Sequence, residues 1–204
     1  MARGRAATYD EQREAILARA AALFAHRGYA ATTMNDIADA CGLSKATLYH
    51  YYDDKTALLA SICEAHVTTL RALVDDVDAL RLPPEARLRE LIRRFVQAYA
   101  GAQHAHRVLT EDVRFLDAAD RERVLGTERA LVAAIARTVA ALRPELAEAH
   151  LAKPLTMLLF GMINWMFTWM RPDGALDHDA LAPIVADLFL GGLPAVKVPQ
   201  PAAA

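Results

Sequence analysis

The stretch that most limits how this chain can fold runs from Thr33 to Lys55, TMNDIADACGLSKATLYHYYDDK. It reads as two short helices and a turn. Thr33 can cap the first helix, with Asp36 as the reciprocal partner of a capping box. Ile37, Ala38 and Cys41 give that helix an apolar stripe. Gly42 stands where a helix end calls for positive φ. Leu43 restarts the apolar core and Ser44 caps the second helix. About three turn residues separate the helices, the spacing of a helix-turn-helix.

Stepping each residue by ~100° around the second helix separates its faces. Leu48 and Tyr52 point one way and can pack on the first helix. Ala46, Thr47 and His50 point the other way, flanked by Tyr49 and Tyr51. Short side chains beside hydroxyl and imidazole groups suit the major groove, where donors and acceptors meet base edges. Phenol hydroxyls and Lys55 can reach phosphates, as can the helix N-termini after Thr33 and Ser44. The expected DNA contacts are therefore Thr33, Ser44, Lys45, Ala46, Thr47, Tyr49, His50, Tyr51 and Lys55. The competing reading is a plain helical hairpin with surface tyrosines. Three tyrosines around one histidine, only Tyr52 facing inward, argue against it.

Around this motif the chain reads as all-α. Thr8 to Glu11 can form a capping box, opening a helix with Ile16, Leu17, Ala20, Leu23 and Phe24 at helical spacing and ending at Gly28. Before it lies a short arm, residues 1–7, with Arg3 and Arg5. A long helix opens after Asp54 and carries Leu58, Leu59, Ile62, His66, Leu70, Leu73, Val77 and Leu80 to the Leu82-Pro83-Pro84 stop. Helical stripes follow at Leu88 to Tyr99, Val108 to Leu116, Val124 to Leu142, Leu151 to Met170 and Leu181 to Phe189. Arg171 to Gly174 reads as a turn. This gives about nine helices in three parts: a DNA-binding domain over 1–54, a helical ligand-binding and dimerisation domain over 55–195, and a flexible tail over 196–204.

Composition narrows the partners. Hydrophobic residues are 54% and charged residues 24%, which excludes a disordered chain. Net charge is −2, and residues 1–55 balance seven Arg and Lys against seven acids. Any contact with DNA must therefore rest on locally placed charge. The N-terminal segment lacks the apolar core of a signal peptide. The most apolar run, Leu155 to Met170, falls short of the ~20 residues that span a membrane. The expectation is a cytoplasmic protein without a membrane partner, its cysteines Cys41 and Cys63 reduced and buried.

The Leu151–Met170 helix is apolar nearly all round and must be covered on every side. One face can enter a core or pocket and another can meet a second copy, giving with the last helix a four-helix interface in a homodimer. Phe95, Tyr99, Phe115, Asn164, Trp165 and Trp169 all face inward by helical periodicity and form the expected ligand site. His66 reads as a satisfied interior histidine. His104 and His106, with Glu111 and Asp112, have the residue types of a metal site but no third histidine or cysteine nearby, so no metal is expected. No catalytic triad, glycine-rich phosphate loop or paired carboxylates stand out, and neither an enzyme nor a cofactor is expected.

Two resemblances sharpen this reading. Thr33, Ile37-Ala38, Gly42, Leu43, Ser44, Thr47-Leu48-Tyr49, Tyr51-Tyr52 and Lys55 together resemble the DNA-binding signature of the TetR family of transcriptional regulators, with Tyr52 where phenylalanine is commoner. The segment LLFGMINWMFTWMRPDGALDHDALAPIVADLFLGGL resembles the C-terminal part of TetR-type regulators that answer to acyl-CoA thioesters. The resemblance implies a dimeric repressor on a palindromic double-stranded DNA operator, released by a small hydrophobic or acyl-CoA-type effector; the phosphates of a coenzyme A thioester would then call for arginines at the pocket mouth, and Arg107, Arg114 and Arg121 are the candidates. The alternative is a constitutive DNA-binding protein with no small-molecule effector.

Overall fold

The computed structural model describes residues 2–170 and 174–198, with side chains from residue 9 onward. In chain order the helices are α1 (Ala2–Arg27), α2 (Met34–Cys41), α3 (Lys45–Tyr51), α4 (Lys55–Ala79), α5 (Pro84–Gly101), α6 (Gln103–Asp112), α7 (Ala118–Leu142), α8 (Pro144–Glu148), α9 (Ala152–Asn164), α10 (Met166–Trp169) and α11 (His178–Gly192). Short 3-10 turns cover Val113–Phe115 and Leu193–Ala195, and no strand occurs among the described residues.

The fold is all-α, as the periodicity requires, with three local differences. Helix α1 already includes Ala2, so Thr8 does not begin it. Pro144 opens α8 rather than simply closing α7; its missing N–H costs nothing at a first helical turn. The apolar run from Leu151 is two helices, because Trp165 (φ −93, ψ 6) leaves helical geometry between α9 and α10. The expected turn at Arg171 to Asp173 and the end of the tail, residues 199–204, lie outside the described residues.

The chain forms two compact units: residues 1–67 with 102–125, and residues 68–101 with 126–204. The cut expected after residue 54 falls inside the first unit. The reason is packing: Leu58, Leu59, Ile62, Cys63 and Val67 of α4 share one apolar core with α1, α2 and α3, and Val108, Leu109 and Leu116 join it.

In the first unit, Ile16, Ala20 and Phe24 of α1 recur at helical spacing and are fully buried. Helix α1 packs on α2 and α6, and α2 on α3. Leu48 is the single buried residue of α3; a leucine taken wholly out of water contributes about 1.5–3 kcal/mol.

In the second unit, Leu88, Leu91, Ile92, Phe95, Val96 and Tyr99 line one face of α5 and meet Ala182, Val185, Ala186 and Phe189 of α11. At the rim, Arg89 pairs with Asp187 at 2.6 Å, and Gln97 donates to Asp179 at 2.7 Å. Arg143 donates to the Leu193 carbonyl and so fixes the end of α11.

Helix α4 is long and apolar enough to cross a membrane by composition alone. Its apolar positions are those already buried in the two cores, Leu58, Leu59 and Ile62 in one and Leu70, Val74 and Val77 in the other.

Candidate functional site

The caps read from the sequence are formed. Asp36 N donates to Thr33 Oγ1 at 3.1 Å, and Thr33 N donates back to Asp36 Oδ2 at 2.8 Å. The Thr33 hydroxyl and backbone N–H hold the Asp36 carboxyl below the ordinary carboxylate range. Gly42 sits at φ 65 and ψ 28, and Leu43 N donates to Ala38 O at 2.9 Å across it. That wrapped ending needs the left-handed conformation that glycine adopts without strain. Ser44 Oγ accepts from Thr47 N at 3.1 Å and lies 2.8 Å from Thr47 Oγ1.

These caps fix how α3 presents itself. Ser44, Lys45, Ala46, Thr47, Tyr49 and His50 are all exposed, while Leu48 anchors the helix from below. Tyr51 is half-buried and stacks on Tyr9 at 4.7 Å. The Lys45 ammonium lies 5.8 Å from the Tyr49 ring centre. The result is a short, fixed helix with donors, acceptors and phenols on its free face and a cation at its start. Such a face can enter a major groove and touch phosphates beside it.

One residue of the motif takes another role. Lys55 was expected on a phosphate, but its ammonium donates to the Tyr29 and Thr32 carbonyls, each at 2.8 Å, and lies 4.3 Å from the Tyr29 ring centre. The loop between α1 and α2 has no helical partners for those carbonyls, and Lys55 supplies them. Tyr52 faces inward as expected; its hydroxyl is buried, and burial pushes the phenol above its ordinary range while the nearby Arg13 charge opposes it.

The expected ligand residues do not converge as one set. Phe95 and Tyr99 do lie together on α5, edge to face at 5.9 Å, with Phe160 of α9 5.7 Å from Phe95. Phe115 instead belongs to the first unit, stacked on Tyr29 at 5.1 Å. Arg107, Arg114 and Arg121 belong to that unit too, and Arg107 pairs with Glu111. Trp165 and Trp169 are 48% and 57% exposed. Helix α9 turns Thr156, Leu159, Phe160 and Ile163 inward, and one chain can cover only that face of an all-round apolar helix. Asn164, the last residue of α9, is half-buried.

Sequence reasoning missed Glu128. It lies on the same stripe of α7 as Val124, Leu131 and Ile135, four after the first and three before the second. A carboxylate at that spacing is the signal that could have found it. Burial raises the Glu128 carboxyl above its ordinary range. Burial first and the Glu128 charge second raise the Tyr99 phenol.

The buried histidine reading holds and gains a partner. His66 Nε2 and His106 Nδ1 are 3.3 Å apart, both rings nearly inaccessible. His104 points elsewhere and meets His26 edge to face at 4.9 Å. No group of three metal-capable side chains occurs among the described residues.

Two family models match the chain in succession, and the second spans parts of both units. Residues 16–62 match the family described as bacterial regulatory proteins, tetR family. Residues 81–193 match the tetracyclin repressor-like C-terminal domain. The transcriptional repressor KstR2 of Rhodococcus jostii is 28% identical over 187 residues, covering 89% of this chain and 91% of that protein. A TetR-family regulator of Bordetella parapertussis superposes with a TM-score of 0.84 at 37% identity, over 91% of this chain and 97% of that one. AibR, solved with isovaleryl coenzyme A and operator DNA, superposes with a TM-score of 0.75 over 87% of this chain and 97% of that one; at 24% identity the likeness is one of fold.

Proposed function

The chain belongs to the tetR family of bacterial regulatory proteins, and from that premise we propose that it is a homodimeric, cytoplasmic repressor released from a palindromic operator by a small hydrophobic or acyl-CoA-type effector. The observation that carries the DNA half is the free face of α3: Ser44, Lys45, Ala46, Thr47, Tyr49 and His50 all exposed around one buried leucine. In a two-fold dimer two such helices read half-sites ~34 Å apart, which makes the operator palindromic.

The dimer is supported by the apolar surface of α9 and α11. Leu158 and Leu188 are 66% and 65% exposed, a state that a second copy would relieve. Trp165 and Trp169 belong with that surface rather than with a ligand core.

The effector half rests on the second unit. Phe95, Tyr99 and Phe160 form a buried aromatic cluster of the kind that can pack an apolar ligand, and Glu128 and Asn164 are polar groups in the same unit. AibR, of the same fold, holds both a coenzyme A thioester and DNA, and KstR2 is a repressor. An effector that binds one dimer geometry better than the DNA-bound one must lower DNA affinity by the same coupling free energy.

Fluorescence anisotropy with DNA from the promoter upstream of the gene tests this reading. A specific complex that dissociates when acyl-CoA thioesters are added supports it. Asn164→Leu should keep DNA affinity and blunt that release. Specific binding unmoved by every thioester and free acid tried would favour the second reading, a constitutive DNA-binding protein whose Phe95–Tyr99–Phe160 cluster is simply core.

A further inference from the structure

Away from the aromatic cluster, the second unit carries a groove of about 630 Å³ formed by α7, α8 and the first turn of α9. Arg129, Ala133, Ala136 and Arg137 line it from α7, at spacings that put them on one helix face. His150, between α8 and α9, and Lys153, in the first turn of α9, line the opposite side. Among the described residues that line the groove there are four bases and no carboxylate. The floor between the two arginines is methyl groups.

The geometry adds a direction to that charge. Arg129 and Arg137 are two helical turns apart, about 12 Å along α7. Leu151 is the N-cap of α9, and its side chain makes no capping bond. The first-turn N–H groups of Ala152 and Lys153 therefore have no side-chain cap, and the positive end of the helix dipole adds to the nearby bases. The volume is that of a small-molecule cleft, and a double helix is too wide to enter it.

We propose that this groove binds the phosphate-bearing end of a coenzyme A thioester, its phosphates against Arg129, Arg137 and Lys153 and its uncharged body on the alanine floor. This rests on the effector class proposed above. It also replaces Arg107, Arg114 and Arg121 as the phosphate partners, since the groove lies in the same unit as Phe95 and Tyr99.

Isothermal titration of the full chain with adenosine 3′,5′-bisphosphate and with isovaleryl coenzyme A tests the groove, using Arg137→Gln/Lys153→Gln and, separately, Ala133→Glu. Arg137, Lys153 and Ala133 are exposed, so the variants should unfold at the parent's temperature. The groove is supported if both variants bind the probes at least about 10-fold more weakly, as loss of charge-assisted bonds implies, while ligand-free operator affinity is unchanged. Parent-like binding of the thioester by both variants would overturn the groove and leave the effector class standing. Bisphosphate binding abolished in the variants, with no thioester releasing DNA, would keep the groove and overturn the effector class. A parent that binds neither probe overturns the groove.

Discussion

The Lys55 ammonium stands 2.8 Å from the Tyr29 carbonyl and 4.3 Å from the centre of the same residue's ring. One cation thus ties the start of α4 to the loop that precedes the reading motif. A lysine that by sequence resembles a phosphate contact is, in the ligand-free fold, the residue that closes that loop.

Lys55→Met should therefore lower stability more than it lowers the salt slope of DNA binding. Two charge-assisted bonds are lost; the Tyr29 carbonyl keeps the Thr32 N–H at 3.3 Å while the Thr32 carbonyl turns to solvent, a cost of about 2 kcal/mol. Urea unfolding of parent and variant measures it. Parent-like stability together with a slope reduced by about one unit would restore the phosphate role.

His50→Ala and Thr47→Ala should relax base preference rather than weaken all sequences alike. Both side chains are exposed on α3 and neither supports the core. A lost base contact costs about 1–3 kcal/mol at its own base pair. Anisotropy titrations against an operator and its single-base variants measure this; identical discrimination in parent and variants would remove both residues from the reading face.

Neighbouring positions of α11 should separate assembly from folding. Leu188 is 65% exposed and Phe189 8%. Leu188→Asp should give a folded monomer, because a charge cannot be buried unpaired at the proposed two-fold interface. Phe189→Asp should fail to fold, because it places the same charge in the core of the second unit. Sedimentation and circular dichroism distinguish the two, and a dimeric Leu188→Asp protein would place the interface elsewhere.

The His66–His106 pair sets an acid limit. Burial first, and the His106 charge second, lower His66 from 6.5 to about 4. The folded state resists a proton that the unfolded state accepts, so the unfolded chain binds more protons between these values and stability falls as pH drops through that window. The loss by pH 5 is about 2 kcal/mol. Thermal unfolding at pH 7.5 and 5 should show it in the parent and show much less of it in His66→Leu. An equal pH dependence in the two proteins would assign it to other groups.

What the sequence determined by itself is local. Thr33, Gly42, Ser44 and Leu48 act through bonds and faces within a few residues, so capping chemistry and helical period were enough to place the motif and its exposed side. The same holds for the stripe of α5 and for the stop at Leu82-Pro83-Pro84. Tertiary structure decided what depends on partners far along the chain. Lys55 finds carbonyls 23 and 26 residues away, and His66 finds His106 forty residues away. Phe115 has the inward periodicity of a core residue, yet periodicity names a face and not the core it faces; packing put it on Tyr29. The apolar run around Asn164 had to be covered on every side, but only packing could choose that Leu159, Phe160 and Ile163 turn inward while Leu158, Trp165 and Trp169 are left for another surface.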